Sequence, residues 1–311
     1  MPYSKDVTPK NNQPVPSPKE VESKLLLPRH EDEILTSLLE LLPKDPEDWQ
    51  LIGIVNKDKD VFTFGNDSKI VGRAFEVIAT AYIKQLAQNL GYKFHESEIQ
   101  TVYPDFVFEK PNGRLIAIDV KSTYRGFDKQ GNTRAFNFTL GSFTNFLRTG
   151  TKNIYRHYED YDSHYVLAFL YSRTNRFETT KVSIDDLDSV QPAYADVEVA
   201  FMEKYRLAGD KPGSGNTDNI GTFKSTSMEP FQYGAGPFAL LGNAVYEHYW
   251  QNFPKYRDSA KEKESRYKNL PAYFDWLEKQ ANSPFDPAEL REKYQAYKAF
   301  VASNGWKIPL N

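Results

Sequence analysis

The chain has 311 residues, a formal net charge of −3, 20 Tyr, 21 Phe and no cysteine, enough for one large domain with appendages or two small ones with a sizeable aromatic core. The missing thiols exclude disulfide frameworks, thiol catalysis and cysteine-held zinc, and they suit a reducing cytoplasm. The charge balance argues against a non-specific nucleic-acid binder but leaves a specific one open, because phosphate contacts depend on local patches.

Residues 1–29 carry Pro2, Pro9, Pro14, Pro16, Pro18 and Pro28 among Asn, Ser and Lys, the composition of a mobile arm. Residues 30–68 read as a helix plus a hairpin. Glu31–Leu42 sets Ile34, Leu35, Leu38, Leu39, Leu41 and Leu42 at helical spacing, stopped by Pro43. Gln50–Val55 and Val61–Phe64 then flank the polar turn NKDKD, a packing or dimerisation element. Residues 69–243 form the expected core. Its first helix, Lys69–Leu90, carries the stripe Phe75, Ile78, Ala79, Tyr82, Leu86 and Leu90 and ends at Gly91, with Glu76 one step off the apolar face. Phe136–Leu140 reads as a strand, Ser142–Leu147 as a short helix, and His164–Ser172 and Val197–Leu207 as strands, the first with the continuous apolar run of a buried one. AGDKPGSGNTDNIGT, residues 208–222, is a polar glycine-rich loop that fits no phosphate-binding fingerprint. Its asparagines and threonine are side chains able to meet base edges in a major groove. Residues 244–311 are helical, with a basic stretch at Lys255–Lys268 and an amphipathic helix at Pro287–Phe300. The five histidines are scattered without metal-ligand spacing, and no segment reaches the length and apolarity of a membrane span.

The chemistry concentrates between Tyr103 and Tyr124. Tyr103–Phe108 and Arg114–Val120 are rich in β-branched and aromatic residues and flank Pro111-Asn112-Gly113, where Pro presets φ and Asn and Gly tolerate a left-handed turn. Folding about Asn112 places residues whose numbers sum to 224 opposite one another, so Asp105 faces Asp119, and Lys121 shares the face of Asp119. Opposed like charges destabilise a strand pair, and a divalent cation such as Mg²⁺ is the simplest compensation. An Asp and a Lys two residues apart on a strand are also the composition of an ordinary solvated face. The spacing alone leaves both readings standing.

A Pro-Asp followed thirteen residues later by Asp-x-Lys resembles the core of the PD-(D/E)xK nucleases. FGNDSKIVGRAFE, YPDF, IAIDVKSTY, FTLGSFTNFLRTGTKNI and AGDKPGSGNTDNIG together resemble the type II restriction endonucleases of the EcoRV type, from about Trp49 to about Leu277. The resemblance implies an α+β (α/β/α) fold with a mixed sheet, working as a homodimer astride double-stranded DNA with Mg²⁺. It implies metal-binding roles for Asp105 and Asp119, a catalytic role for Lys121, and a helix glutamate near a second metal in Glu76. Gly213, Ser214, Gly215, Asn216, Thr217 and Asn219 match the base-reading loop, Gln100 the minor-groove loop, and Ser122, Thr123, Thr139, Thr144 and Lys152 positions near phosphates. Asn137 and Asn145 stand where the family pattern has a lysine and a serine. The implied product is a palindrome like GATATC cut bluntly at its centre to leave 5′-phosphates. A repair or junction nuclease on the same core and a non-cleaving DNA-binding protein are the competing readings.

Overall fold

The computed structural model describes residues 32–99, 101–174, 179–213, 218–255 and 267–309. The proline-rich arm, Gln100, the 214–217 tip of the glycine-rich stretch and most of the basic Lys255–Lys268 stretch lie outside them. The fold is α+β, with a mixed five-stranded central sheet in the order β3 (Lys93–Glu96), β4 (Phe106–Glu109), β5 (Leu115–Tyr124), β7 (Tyr161–Arg173) and β9 (Tyr194–Glu203). Only β5 and β7 are parallel, and the other neighbours are antiparallel.

The period-two alternation of the strands sends side chains to two cores. On one face Phe106, Ile116, Ile118, Leu167 and Phe169 meet helices α1 (Glu33–Leu41) and α2 (Ser68–Asn89). Asp67 caps α2, accepting from the amides of Lys69 at 2.8 Å and Ile70 at 3.3 Å. Val71, Phe75, Ala79, Ile83 and Leu86 are its buried stripe, a slightly rotated version of the one expected, with Ile78, Tyr82 and Leu90 half-buried at its edge. Phe75 stacks on Phe169 with centroids 4.5 Å apart. Burying such a ring stabilises the fold by about 1.5–3 kcal/mol. Gly91, at φ +68°, ends the helix in the left-handed conformation.

The other face, with Val107, Ala117, Val166, Ala168 and Leu170, is covered by an aromatic core. It is drawn from Phe138, Phe143, Phe231, Tyr249 and Trp250 and from helices α3 (Asn243–Asn252), α4 (Leu270–Glu278) and α5 (Pro287–Ser303). Two small sheets flank this frame. Strands β1 (Gly53–Val55) and β2 (Asp60–Thr63) form the expected hairpin and are joined by β8 (Lys181–Ser183). Strands β10 (Ala208–Pro212), β11 (Asn219–Thr222) and β6 (Thr139–Ser142) form the other.

Several boundaries differ from expectation. The 208–222 stretch is not one loop: both of its ends are strands, and their glycines and proline hide the alternation that would announce them. The strand expected to run to Leu207 stops at Glu203, and Lys204–Leu207 form a helical turn. The helical turn Phe143–Leu147 carries a non-helical Asn145, φ −92° and ψ −110°. In the β4–β5 turn only Gly113 is left-handed, at φ +81°; Asn112 instead accepts the Arg114 amide on its side chain at 3.0 Å.

Candidate active site

Strands β4 and β5 pair as Phe106↔Ile118, Val107↔Ala117, Phe108↔Ile116 and Glu109↔Leu115, the register that sums to 224. One step beyond the Phe106↔Ile118 pair, Asp105 Oδ2 accepts the Val120 amide at 2.7 Å, which ties the first acid to the strand that carries the second. Asp119 is buried, at 3% exposure, because β5 has neighbours on both sides and its face turns toward the aromatic core. Lys121 Nζ lies 2.8 Å from Asp119 Oδ2 and 3.9 Å from Asp105 Oδ2, and it donates to the Val120 carbonyl at 3.0 Å. Lys121 is the one ion-pair partner of the buried Asp119 Oδ2 among the described residues, which leaves a lone pair undirected.

Burial, reinforced by the neighbouring Asp119 charge, pushes the Asp105 carboxyl up to about 7, against the pull of Lys121 and the Val120 amide. For Lys121 burial acts downward, yet the charges of Asp119 and Asp105 carry its pKa above the ordinary lysine value. Two crowded carboxylates with one undirected buried oxygen fit a small hard cation. Mg²⁺ commonly takes one or two protein carboxylates and keeps water on its remaining positions. Among the described residues no third His, Asp or Glu joins the pair in a metal-holding group. Glu76 sits on α2 close enough for Lys121 to feel its charge, and its carboxylate pairs with Arg73 at 2.5 Å.

A profile described as Restriction endonuclease EcoRV matches residues 45–278. The type II restriction enzyme EcoRV of Escherichia coli is 30% identical over 246 residues, covering 78% of this chain and 96% of its own. This chain belongs to the EcoRV family of type II restriction endonucleases.

The remaining residues singled out by the EcoRV-type pattern fall into two groups. Ser122 and Thr123 continue β5 past the lysine, where α2 comes so close that a Cβ on Gly72 would stand 3.2 Å from Ser122 Oγ. Around the glycine-rich hairpin, Gly213 donates to the Asn219 carbonyl at 2.9 Å and so clamps the stem of the 214–217 tip. Ser214, Gly215, Asn216 and Thr217 themselves lie outside the described residues, as does Gln100. Asn219 pairs with Ser142 and Gly221 with Thr139. Thr144 Oγ1 donates to Asp218 Oδ2 at 3.2 Å. Thr139 and Thr144 are therefore brought to the hairpin stem, whereas Lys152 is exposed, its amide donating to Thr149 Oγ1 at 3.0 Å.

Three residues that sequence reasoning did not assign to the site bear on it. Asn137, which departs from the family's lysine, donates to the Gly213 carbonyl at 3.1 Å and holds the hairpin instead of projecting a charge. Arg73 occupies the Glu76 carboxylate, and an i,i+3 spacing on a helix was the signal for that pair. Lys204 is fully enclosed, and the sequence places it in the Val197–Leu207 strand with no role of its own.

Proposed function

We propose that this chain is a sequence-specific, Mg²⁺-dependent double-stranded DNA endonuclease, acting in the cytoplasm as a two-fold dimer on a palindrome resembling GATATC. The observation that carries the reading is the convergence of two acids from opposed strands and one ammonium, with Nζ 2.8 Å and 3.9 Å from the two carboxylates. Asp105 and Asp119 would hold the ion, which when bound supplies positive charge to a phosphodiester and acidifies water.

The chain's own groups do the rest. The Val120 amide fixes the Asp105 carboxylate, and the burial of Asp119 keeps water from competing for it. Lys121 stands between them, only partly exposed, and is the proton-bearing group able to meet charge that develops on a phosphate oxygen or to orient the attacking water. Water oxygen bonds to phosphorus as the bond to O3′ breaks, leaving a 5′-phosphate and a 3′-hydroxyl. Glu76 enters as an outlying carboxylate on α2 whose charge Lys121 feels. Gly213–Asn219 would read base edges in the major groove, with Ser122, Thr123, Thr139, Thr144 and Lys152 near the backbone and Gln100 at the minor groove. A central TA step, which kinks readily, would add discrimination without contact.

Pairing of two copies is supported by the β1–β2 hairpin. Ile54 and Phe62 are cross-strand partners, and both are exposed, at 66% and 44%, with Val55 beside them. An exposed apolar pair on an edge sheet is what a self-complementary interface covers. A Mg²⁺-dependent digest of plasmid DNA, followed by sequencing of the ends, tests the function. One blunt-cut palindrome is expected; cutting that follows a junction or nick regardless of sequence would replace this reading. Sedimentation of the Phe62→Asp variant checks the dimer, which should dissociate.

A further inference from the structure

Beneath the carboxylate pair lies a second lysine. Lys204 opens the helical turn after β9 and is 2% exposed, deeper than Lys121. Its Nζ stands over the rings of Tyr103 at 4.1 Å and Phe146 at 4.7 Å and has no hydrogen-bond partner among the described residues. Ring faces attract an ammonium but do not replace its water. The residue also borders a cavity of about 200 Å³, shared with Tyr158, Tyr161, His164, Tyr246 and Glu247, but its amine is sealed from water. The second ring nitrogen of His164 is likewise buried without a partner among the described residues.

The surroundings of Lys204 tie it to the cleavage site. Tyr103, whose ring it covers, precedes Pro104-Asp105 and bonds His164 Nδ1 at 2.9 Å through its hydroxyl. Asp119 and Asp105 both favour the charged amine, whereas burial and Lys121 oppose it and draw its pKa down to about 7. His164 is held neutral, chiefly by burial and next by Lys204. Apart from the two ring faces, the attraction that reaches the amine is the field of the two carboxylates.

We propose that Lys204 is a positioning residue of the cleavage site, a buried positive charge that offsets Asp105 and Asp119 from below and so weakens their hold on a divalent cation. This rests on the reading of those two acids as the metal site. The device has a physical purpose: in the metal-free protein the two adjacent carboxylates repel, and a nearby positive charge joins the proton that Asp105 holds in relieving that repulsion.

Binding of Mn²⁺ to the free full-length protein, followed by electron paramagnetic resonance, is the test. Lys204→Met keeps the apolar stem and removes the charge. It should bind Mn²⁺ about tenfold more tightly, the order expected for one buried charge that both carboxylates feel. Lys204→Arg, which keeps the charge, should bind as the parent does. A purely packing role would leave affinity unchanged or lower it in Lys204→Met, and either result overturns the proposal. Should that variant fail to fold, Lys204→Gln carries the same expectation with a polar end toward the cavity. Asp119→Asn is the control. If it binds Mn²⁺ like the parent, the metal-site reading itself fails; if it abolishes binding while Lys204→Met changes nothing, only the role of Lys204 falls.

Discussion

Two hairpins carry the residues of the proposed function, and they are built on opposite principles. The β4–β5 hairpin lies inside the central sheet, keeps one register through four consecutive pairs, and has β5 paired on both flanks. The β10–β11 hairpin shifts register between Ala208 and Pro212, shifts again against β6, and brings Gly213 and Gly221 so close that a Cβ on Gly221 would be 2.7 Å from Gly213 Cα. In the first the ladder fixes the side chains. In the second, glycine contact and a few side-chain bonds fix the backbone. Substitutions in the first should change the rate of bond breaking, and those in the second the choice of sequence.

The sharpest way to separate them is removal of a charged group from the first hairpin. Asp119→Ala and Lys121→Ala should each slow single-turnover cleavage by about 100- to 1000-fold or more. Gel-shift affinity for the cut sequence should persist, since neither change touches the β10–β11 stem. Cleavage by Asp119→Ala within tenfold of the parent, as an order-of-magnitude bound, would break the assignment. In the second hairpin, Gly221→Ala forces the strands apart. A displacement of this kind costs about 10- to 100-fold in specific cleavage. Mn²⁺ affinity should stay that of the parent, because the acids lie on another sheet.

Acidity gives a further contrast. Asp105 is raised to about 7 by burial first and by Asp119 second. At limiting Mg²⁺ the cleavage rate should therefore climb with pH by about tenfold per unit below 7 and flatten above it. The sign for stability is opposite. The folded carboxyl holds its proton more tightly than the unfolded one, so the metal-free protein is stabilised at low pH. That contribution fades as pH rises from about 4 through 7. Urea melts in chelator at pH 5 and pH 8 measure it, and Asp105→Asn should remove most of the difference.

How much of this was legible beforehand follows from the same contrast. Pro111-Asn112-Gly113 between two β-branched runs was enough to give the register that converges Asp105, Asp119 and Lys121, because a regular ladder transmits a turn position residue by residue. Likewise Gly91 bounded α2 at its C-terminus, whereas its Asp67 cap came only with the structure. The β10 and β11 strands were not legible, because Gly209, Pro212, Gly213 and Gly221 are chosen for close approach and carry no alternation. Lys204 was not legible either. Its burial depends on Tyr103 and Phe146, which are distant in sequence, and nothing in the strand expected at Val197–Leu207 marks it out. Glu76 shows a subtler loss: its place beside the stripe was right, but its Arg73 partner decides where the carboxylate points.

The smallest expected effect probes how the second hairpin is held. Thr144 follows β6 and donates from Oγ1 to Asp218 Oδ2 at 3.2 Å, while the Phe143 amide donates to the Asp218 carbonyl at 2.9 Å. Asp218 directly follows residues 214–217 in the chain, so these two bonds and the one from Gly213 to Asn219 fix the described residues on either side of them. Thr144→Val keeps the shape of the side chain and the main-chain bond and deletes only the hydroxyl. Thr144 Oγ1 also meets Ser142 Oγ at 3.0 Å, and that half-buried hydroxyl can turn to water; the lost bond to Asp218 contributes about 0.5–1.5 kcal/mol, so specific cleavage should fall by about two- to tenfold. If the stem positions the reader, the loss will appear as poorer discrimination between the cut sequence and single-base variants, with the rate at saturating DNA held. An equal loss on every sequence would instead assign Thr144 to the phosphate backbone, and the two hairpins would then share the work of holding DNA more evenly than their construction implies.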